Sequence, residues 1–198
     1  QEQDITRDKE KDVPFIGLLP GSRIEEVRYL LPVFLRIVKL VSKKRRIEPI
    51  LSASDADIKK VEETILKRYH TDMEIIEGNP HRVIKESSML LAASGTVNLE
   101  VVLLKRPLLV FYKTTYLNYI LGRIMIKLDV ISPVNIMAGG KVIPEYIQHF
   151  SYSRVAEDVG DILDKGAIYQ KEQEVFPQIQ EMAGKGGVSV SVAEFLVK

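Results

Sequence analysis

Five short runs carry apolar side chains at most positions: Phe15 to Leu19, Glu48 to Ala53, Met73 to Glu77, Met89 to Ala93 and Leu108 to Tyr112. Strands of that kind are buried on both faces, which requires helices packed over both sides of a parallel sheet. The intervening segments have a helical period. One helix begins near Ile24, a second spans about Asp55 to Tyr69, a third about His81 to Glu86 and a fourth about Val97 to Leu104. The alternation predicts an α/β fold, a Rossmann-like parallel sheet with helices on both faces. After Asp129 the pattern changes to a loop from Ser132 to Pro144, a helix opened by Pro144, and helical segments through Lys165 and from about Ile168 onward. Residues 1–12 hold almost nothing apolar besides Ile5 and read as a mobile arm or linker; 13–166 read as the ligand-binding domain and 167–198 as C-terminal helices.

Composition narrows the function classes. The 198 residues carry a formal net charge of only +1, too little for a general nucleic-acid binder, so any positive patch must be local. No cysteine is present, which removes disulfides, thiol nucleophiles and cysteine zinc sites, and fits a reducing compartment. The three histidines, His70, His81 and His149, form no short-spaced pair, so no metal site is expected. No stretch approaches the roughly 20 apolar residues of a membrane span, and no signal-peptide apolar region opens the chain, which is therefore read as cytosolic.

In an open parallel sheet, ligands bind beyond the carboxyl ends of the strands, so the residues after each strand matter most. Leu18-Leu19-Pro20-Gly21-Ser22-Arg23-Ile24-Glu25-Glu26 joins a strand to a helix through a glycine turn, with Ser22 and Glu25 at capping-box spacing. Gly21 lets backbone approach a ligand, the helix start presents N–H groups, and Arg23 adds a fork suited to phosphate oxygens. The same residues read equally as a capped helix with a surface arginine. A second such turn is Ala92-Ala93-Ser94-Gly95-Thr96-Val97-Asn98-Leu99-Glu100, where Ser94 and Thr96 either meet phosphate or cap the helix. Glu100, one turn beyond Thr96, is either an acceptor for ribose hydroxyls or a solvated helix residue. The segment from Ser132 to Gln148 holds Asn135 and two adjacent glycines, and reads as a ligand loop or a plain connection. Between Val101 and Leu128 lie five basic residues, Lys105, Arg106, Lys113, Arg123 and Lys127, and no acidic one; Tyr112, Tyr116 and Tyr119 interleave with them. Tyr116 to Leu128 reads either as an interfacial helix on a membrane or as a helix packed on the sheet.

Taken together, LLPGSR, AASGTVNLE, VFYKTTYLNYILGR and VNIMAGGKVIPEYIQ, in this order and spacing, resemble the lipid-A-disaccharide synthase family from about Phe15 to the C-terminus. The resemblance implies one half of a GT-B glycosyltransferase fold, the half that binds the UDP-sugar donor. It implies transfer, with inversion, of 2,3-diacylglucosamine from its UDP conjugate to 2,3-diacylglucosamine 1-phosphate at the cytoplasmic face of the inner membrane, with no cofactor or metal. Gly21, Ser22, Arg23, Ser94, Gly95 and Thr96 are then expected at the donor diphosphate, Glu100 at the ribose, and Asn135, Glu145 and Gln148 near the nucleotide. Lys113, Tyr116, Tyr119, Arg123 and Lys127 are expected next to the membrane. One departure is local: the family's Leu-Pro-Asn reads Pro133-Val134-Asn135 here. The larger one is that the acceptor site and catalytic base belong to an N-terminal domain outside these residues, supplied by another chain or a homodimer, so this chain is expected to be inactive alone. Its last helices are expected to cross toward that domain. The alternatives are another UDP-sugar GT-B enzyme, an epimerase or transferase, and a non-catalytic module that docks on a membrane or partner.

Overall fold

The computed structural model describes residues 13–113 and 130–185. Strands β1 (Phe15–Leu19), β2 (Glu48–Ala53), β3 (Glu74–Glu77), β4 (Met89–Ala93) and β5 (Leu108–Tyr112) alternate with helices α1 (Ile24–Ser42), α2 (Ala56–Arg68), α3 (Pro80–Glu86) and α4 (Val97–Leu103). A short helix α5 (Pro133–Met137), a sixth strand β6 (Glu145–Ile147) and helices α6 (Tyr152–Leu163) and α7 (Ala167–Lys185) follow. All strands pair in parallel in the order β3-β2-β1-β4-β5-β6. The order reverses between β1 and β4, and that switch point opens a crevice at the carboxyl ends of the two strands.

Alternate side chains of each strand enter two separate cores. Leu18, Leu51, Leu91 and Phe111 pack under α1, α2 and α6, while Ile50, Leu90, Leu108 and Val110 pack under α3, α4, α5 and α7. This two-sided burial is what the continuous apolar runs require. Gly17 lets α3 settle on the sheet: a Cβ there would lie 2.2 Å from Leu90 Cδ1 and 2.5 Å from Ser87 Oγ.

Two expectations are corrected. Pro144 opens no helix; the residues after it form β6, with Val110 N–H donating to Pro144 O and Tyr146 stacked on Phe111 at 5.0 Å. A proline at a strand's start leaves the ladder intact when its carbonyl, not its nitrogen, is the group used. The segment from Ser132 to Pro144 is likewise not all loop, since Ser132 caps α5 by accepting from Asn135 N–H. Phe176 and Ile179 of α7 are buried against α4 and the neighbouring core. Residues 1–12 and 186–198 lie outside the described residues.

One polar group sits against the fold's interest. Ile58, Glu62 and Leu66 recur every four residues on the buried face of α2, and neither Glu62 carboxylate oxygen meets a hydrogen-bond partner. Burial, with a smaller push from the Asp55 charge, raises its carboxyl to about 8. Between its unfolded value near 4.5 and about 8, the unfolded chain releases a proton that the folded chain keeps, so stability falls as pH rises through that window. Glu62→Gln removes this titration. The stability difference between variant and wild type, from urea unfolding, is expected to grow in the variant's favour by about 3 kcal/mol from pH 5 to pH 8.

Candidate functional site

A cleft of about 470 Å³ opens at the switch point, within the size range of small-molecule sites. One wall is the turn after β1. Gly21 takes φ +118, a conformation that disfavours any residue with a Cβ, and a Cβ there would lie 2.3 Å from Glu26 Oε2. Arg23 occupies the N-cap of α1 with extended backbone, and its side chain makes no capping bond. The capping-box reading of Ser22 and Glu25 is thereby corrected: α1 begins at Ile24, so the cap position falls on Arg23 and the third helical position on Glu26. Arg23 Nη1 lies 3.6 Å from Glu26 Oε1, and the arginine side chain is 82% exposed, free to reach into the cleft.

The opposite wall is the turn after β4. Ser94, Gly95 and Thr96 line it. Ser94 N–H donates to Phe111 O and its Oγ donates to Ile131 O at 3.0 Å, while Thr96, at the N-cap of α4, makes no side-chain capping bond. Glu100 lines the cleft one turn on, with its Oε2 3.5 Å from His81 Nε2 at the start of α3. The structure thus gathers Gly21, Ser22, Arg23, Ser94, Gly95, Thr96 and Glu100 around one cavity.

It adds residues the sequence reading passed over. Ser52, Ser54, Pro80 and Glu26 also line the cleft. Ser52 is the penultimate residue of β2, Ser54 follows the strand, and Pro80 follows β3 by a short turn; searching after every strand, not only the glycine-rich turns, finds Ser54 and Pro80. Ser52 adds a hydroxyl to the lining, whereas Ser54 Oγ donates to Asp55 Oδ2 (2.9 Å) beside the cap of α2.

Asn135, Glu145 and Gln148 are placed elsewhere. Asn135 is fully buried and spends its whole amide: Nδ2 donates to Ile143 O (2.9 Å) and Glu145 Oε1 (2.8 Å), and Oδ1 accepts from Val142 and Ile143 N–H, both at 2.9 Å. Glu145 also accepts from Ile131 N–H (2.9 Å) and Ser132 N–H (2.7 Å). The pair therefore fixes Ile131, whose carbonyl takes the Ser94 hydroxyl on the cleft wall. Gln148 is buried with φ +52, its N–H donating to Tyr112 O.

Lys113 lines a second groove, of about 650 Å³, together with Arg36, Lys39, Tyr29, Tyr69 and Tyr152. The Arg36 guanidinium stacks 4.2 Å above the Tyr152 ring. Tyr116, Tyr119, Arg123 and Lys127 lie outside the described residues.

Comparison with known proteins gives the family. The sequence profile described as lipid-A-disaccharide synthetase matches residues 1–184. The chain belongs to the lipid-A-disaccharide synthetase family. Lipid-A-disaccharide synthases of Nitrosococcus oceani and Myxococcus xanthus are 36% and 31% identical to it over 185 and 196 residues, covering 92% and 95% of this chain. The aligned parts are 47% and 50% of those relatives, so the chain spans about half their length. Spinosyn rhamnosyltransferase SpnG, solved with thymidine diphosphate, superposes on 86% of the chain with a TM-score of 0.55 at 12% identity, over 42% of its own length. That likeness shows the fold. This member of the lipid-A-disaccharide synthetase family has the Rossmann-like fold of one half of a GT-B glycosyltransferase. Among its described residues no group of three or more His, Asp or Glu could hold a metal ion, and no described helix is long and apolar enough to cross a membrane.

Proposed function

We propose that this chain is the donor-binding half of an inverting glycosyltransferase that moves 2,3-diacylglucosamine from its UDP conjugate to 2,3-diacylglucosamine 1-phosphate, forming the lipid A disaccharide. The observation that carries this reading is the convergence of the Gly21-Ser22-Arg23 and Ser94-Gly95-Thr96 turns on one cleft at the switch point. Arg23, the N-terminal N–H groups of α1 and the Thr96 hydroxyl face the diphosphate and stabilise the charge that grows on UDP as it leaves, while Ser94, its hydroxyl held by Ile131 O, shapes the turn beside them. These donors are the protein's own, and the reading calls for no cofactor or metal. Glu100 accepts from the ribose hydroxyls, held in place by His81. Asn135 and Glu145 serve the nucleotide from behind, by fixing the segment that backs Ser94, and Gln148 serves it from the end of β5, where its N–H holds Tyr112 O. The acceptor site and catalytic base lie in the part of the relatives that this chain does not span, so the chain binds donor without transferring it. An epimerase or another transferase could use the same two turns; family membership favours the synthase.

Calorimetric titration with UDP, with ADP as control, tests the reading. Selective UDP binding is expected; a folded chain that binds neither nucleotide overturns it.

Because donor and acceptor are acylated, the reading also places the protein on the cytoplasmic membrane surface. The groove with Arg36, Lys39 and Lys113 supports this, since among the described residues its lining holds three cations and three tyrosines and no carboxylate. Replacing all three cations with Gln is expected to lower binding to vesicles containing anionic phospholipid by about a hundredfold, from roughly 1 kcal/mol per cation, and to leave UDP affinity unchanged. Unchanged vesicle binding removes the groove from the membrane face.

A further inference from the structure

Glu26 has no part in the reading above, yet it lines the donor cleft. Its carboxylate faces Arg23 at 3.6 Å, its side chain is 33% exposed, and it fills the room over Gly21, where even a methyl group would collide with its Oε2 and its Cβ. The other polar side chains assigned to the diphosphate end, Ser22, Arg23, Ser94 and Thr96, carry no negative charge. The other carboxylate on the lining, Glu100, lies toward α3 and meets His81. A carboxylate beside the one arginine of the lining cannot be a phosphate contact, because like charges a few ångströms apart repel strongly at the dielectric of a protein surface. It does, however, give Arg23 an anionic partner at 3.6 Å.

We propose that Glu26 is an internal stand-in for the donor phosphate, occupying the anion subsite beside Gly21 and Arg23 until a diphosphate displaces it. The inference rests on the cleft being a nucleoside-diphosphate site. Arg23 then exchanges one anionic partner for another on binding, which keeps it oriented in the empty protein and lowers the net affinity of the cleft for any diphosphate. Released UDP is itself such an anion. Glu26 thereby weakens the hold on the leaving product, whereas the uridine part, recognised toward Glu100, is untouched. Glu26 is a positioning and affinity-setting residue, since it acts on the ligand through Arg23 and through charge.

The test is titration of wild type, Glu26→Gln and Glu26→Ala with three probes, UDP, inorganic pyrophosphate and uridine, with thermal unfolding as a check that each variant folds. Glu26→Gln is expected to bind UDP and pyrophosphate at least fivefold more tightly than wild type, with uridine unchanged. In an Arg23→Ala background the same substitution is expected to gain less than half as much, because the contested cation is gone. Equal or weaker UDP and pyrophosphate binding by both Glu26 variants overturns the proposal, as does tightening that extends equally to uridine. If wild type does not prefer UDP to ADP while the Glu26 variants still tighten on pyrophosphate, the nucleotide reading fails and the stand-in holds. Should Glu26→Gln fold poorly, Glu26→Ala carries the same comparison.

Discussion

Asn135→Ala is expected to cost about 4 kcal/mol of folding stability, measured by urea unfolding at neutral pH. The side chain is fully buried and makes four hydrogen bonds. Truncation leaves the Val142 and Ile143 N–H groups, the Ile143 carbonyl and one Glu145 oxygen without that partner, and each buried polar group so stranded costs about 1–3 kcal/mol. The sum is discounted because Glu145 keeps its bonds to Ile131 and Ser132, and because water can reach the partly buried Val142. Asn135→Asp is the sharper comparison. It preserves the acceptor for the two N–H groups, removes both donors, and sets a second carboxylate against Glu145. If the network is what matters, Asp fails at least as badly as Ala near neutral pH and recovers on acidification, as one of the two carboxyls takes a proton. A loss under 1 kcal/mol for Asn135→Ala would show that the network contributes little.

The difference between this role and the one read from the sequence is instructive. The strands were legible almost to the residue, because in a parallel sheet covered on both sides the apolar run and the strand are the same object. Only Met73 fell outside the observed β3 (Glu74–Glu77). The two glycine turns were legible because Gly21 and the Ser94-Gly95-Thr96 triplet follow apolar runs directly, where this topology puts ligands. β6 was not legible. Three residues holding Glu and Tyr after a proline have no strand pattern of their own; pairing with β5 and the Tyr146 stack on Phe111 make them one. Nor was the work of Asn135 visible, since its partners at 142, 143 and 145 meet it only after α5 turns the chain back. Ser52, Ser54 and Pro80 join the cleft because the order β3-β2-β1-β4 sets their strand ends beside the two turns. Local sequence cannot announce that adjacency, although the rule about strand ends, applied to β2, points to Ser54.

Arg23→Ala is expected to weaken UDP binding about fiftyfold while leaving stability within about 0.5 kcal/mol of wild type. The stability side follows from exposure: the side chain is 82% exposed, makes no capping bond, and its pairing with Glu26 at 3.6 Å is the kind of surface contact worth little. The binding side follows from the ligand. A guanidinium on a phosphate makes charge-assisted hydrogen bonds worth about 1.5–3 kcal/mol, or roughly ten- to a hundredfold in affinity. Both the charge and the planar fork of the guanidinium enter that figure. Arg23→Lys separates the two contributions. It keeps a charge against Glu26 but loses the planar fork, and is expected to fall between wild type and Ala. The Arg23→Ala loss is also expected to shrink as salt rises, since the interaction removed is ionic and the cleft is open to solvent. Uridine, which has no phosphate, is expected to bind wild type and variant alike; a variant that loses uridine as well as UDP would show that Arg23 shapes the cleft rather than meeting the diphosphate.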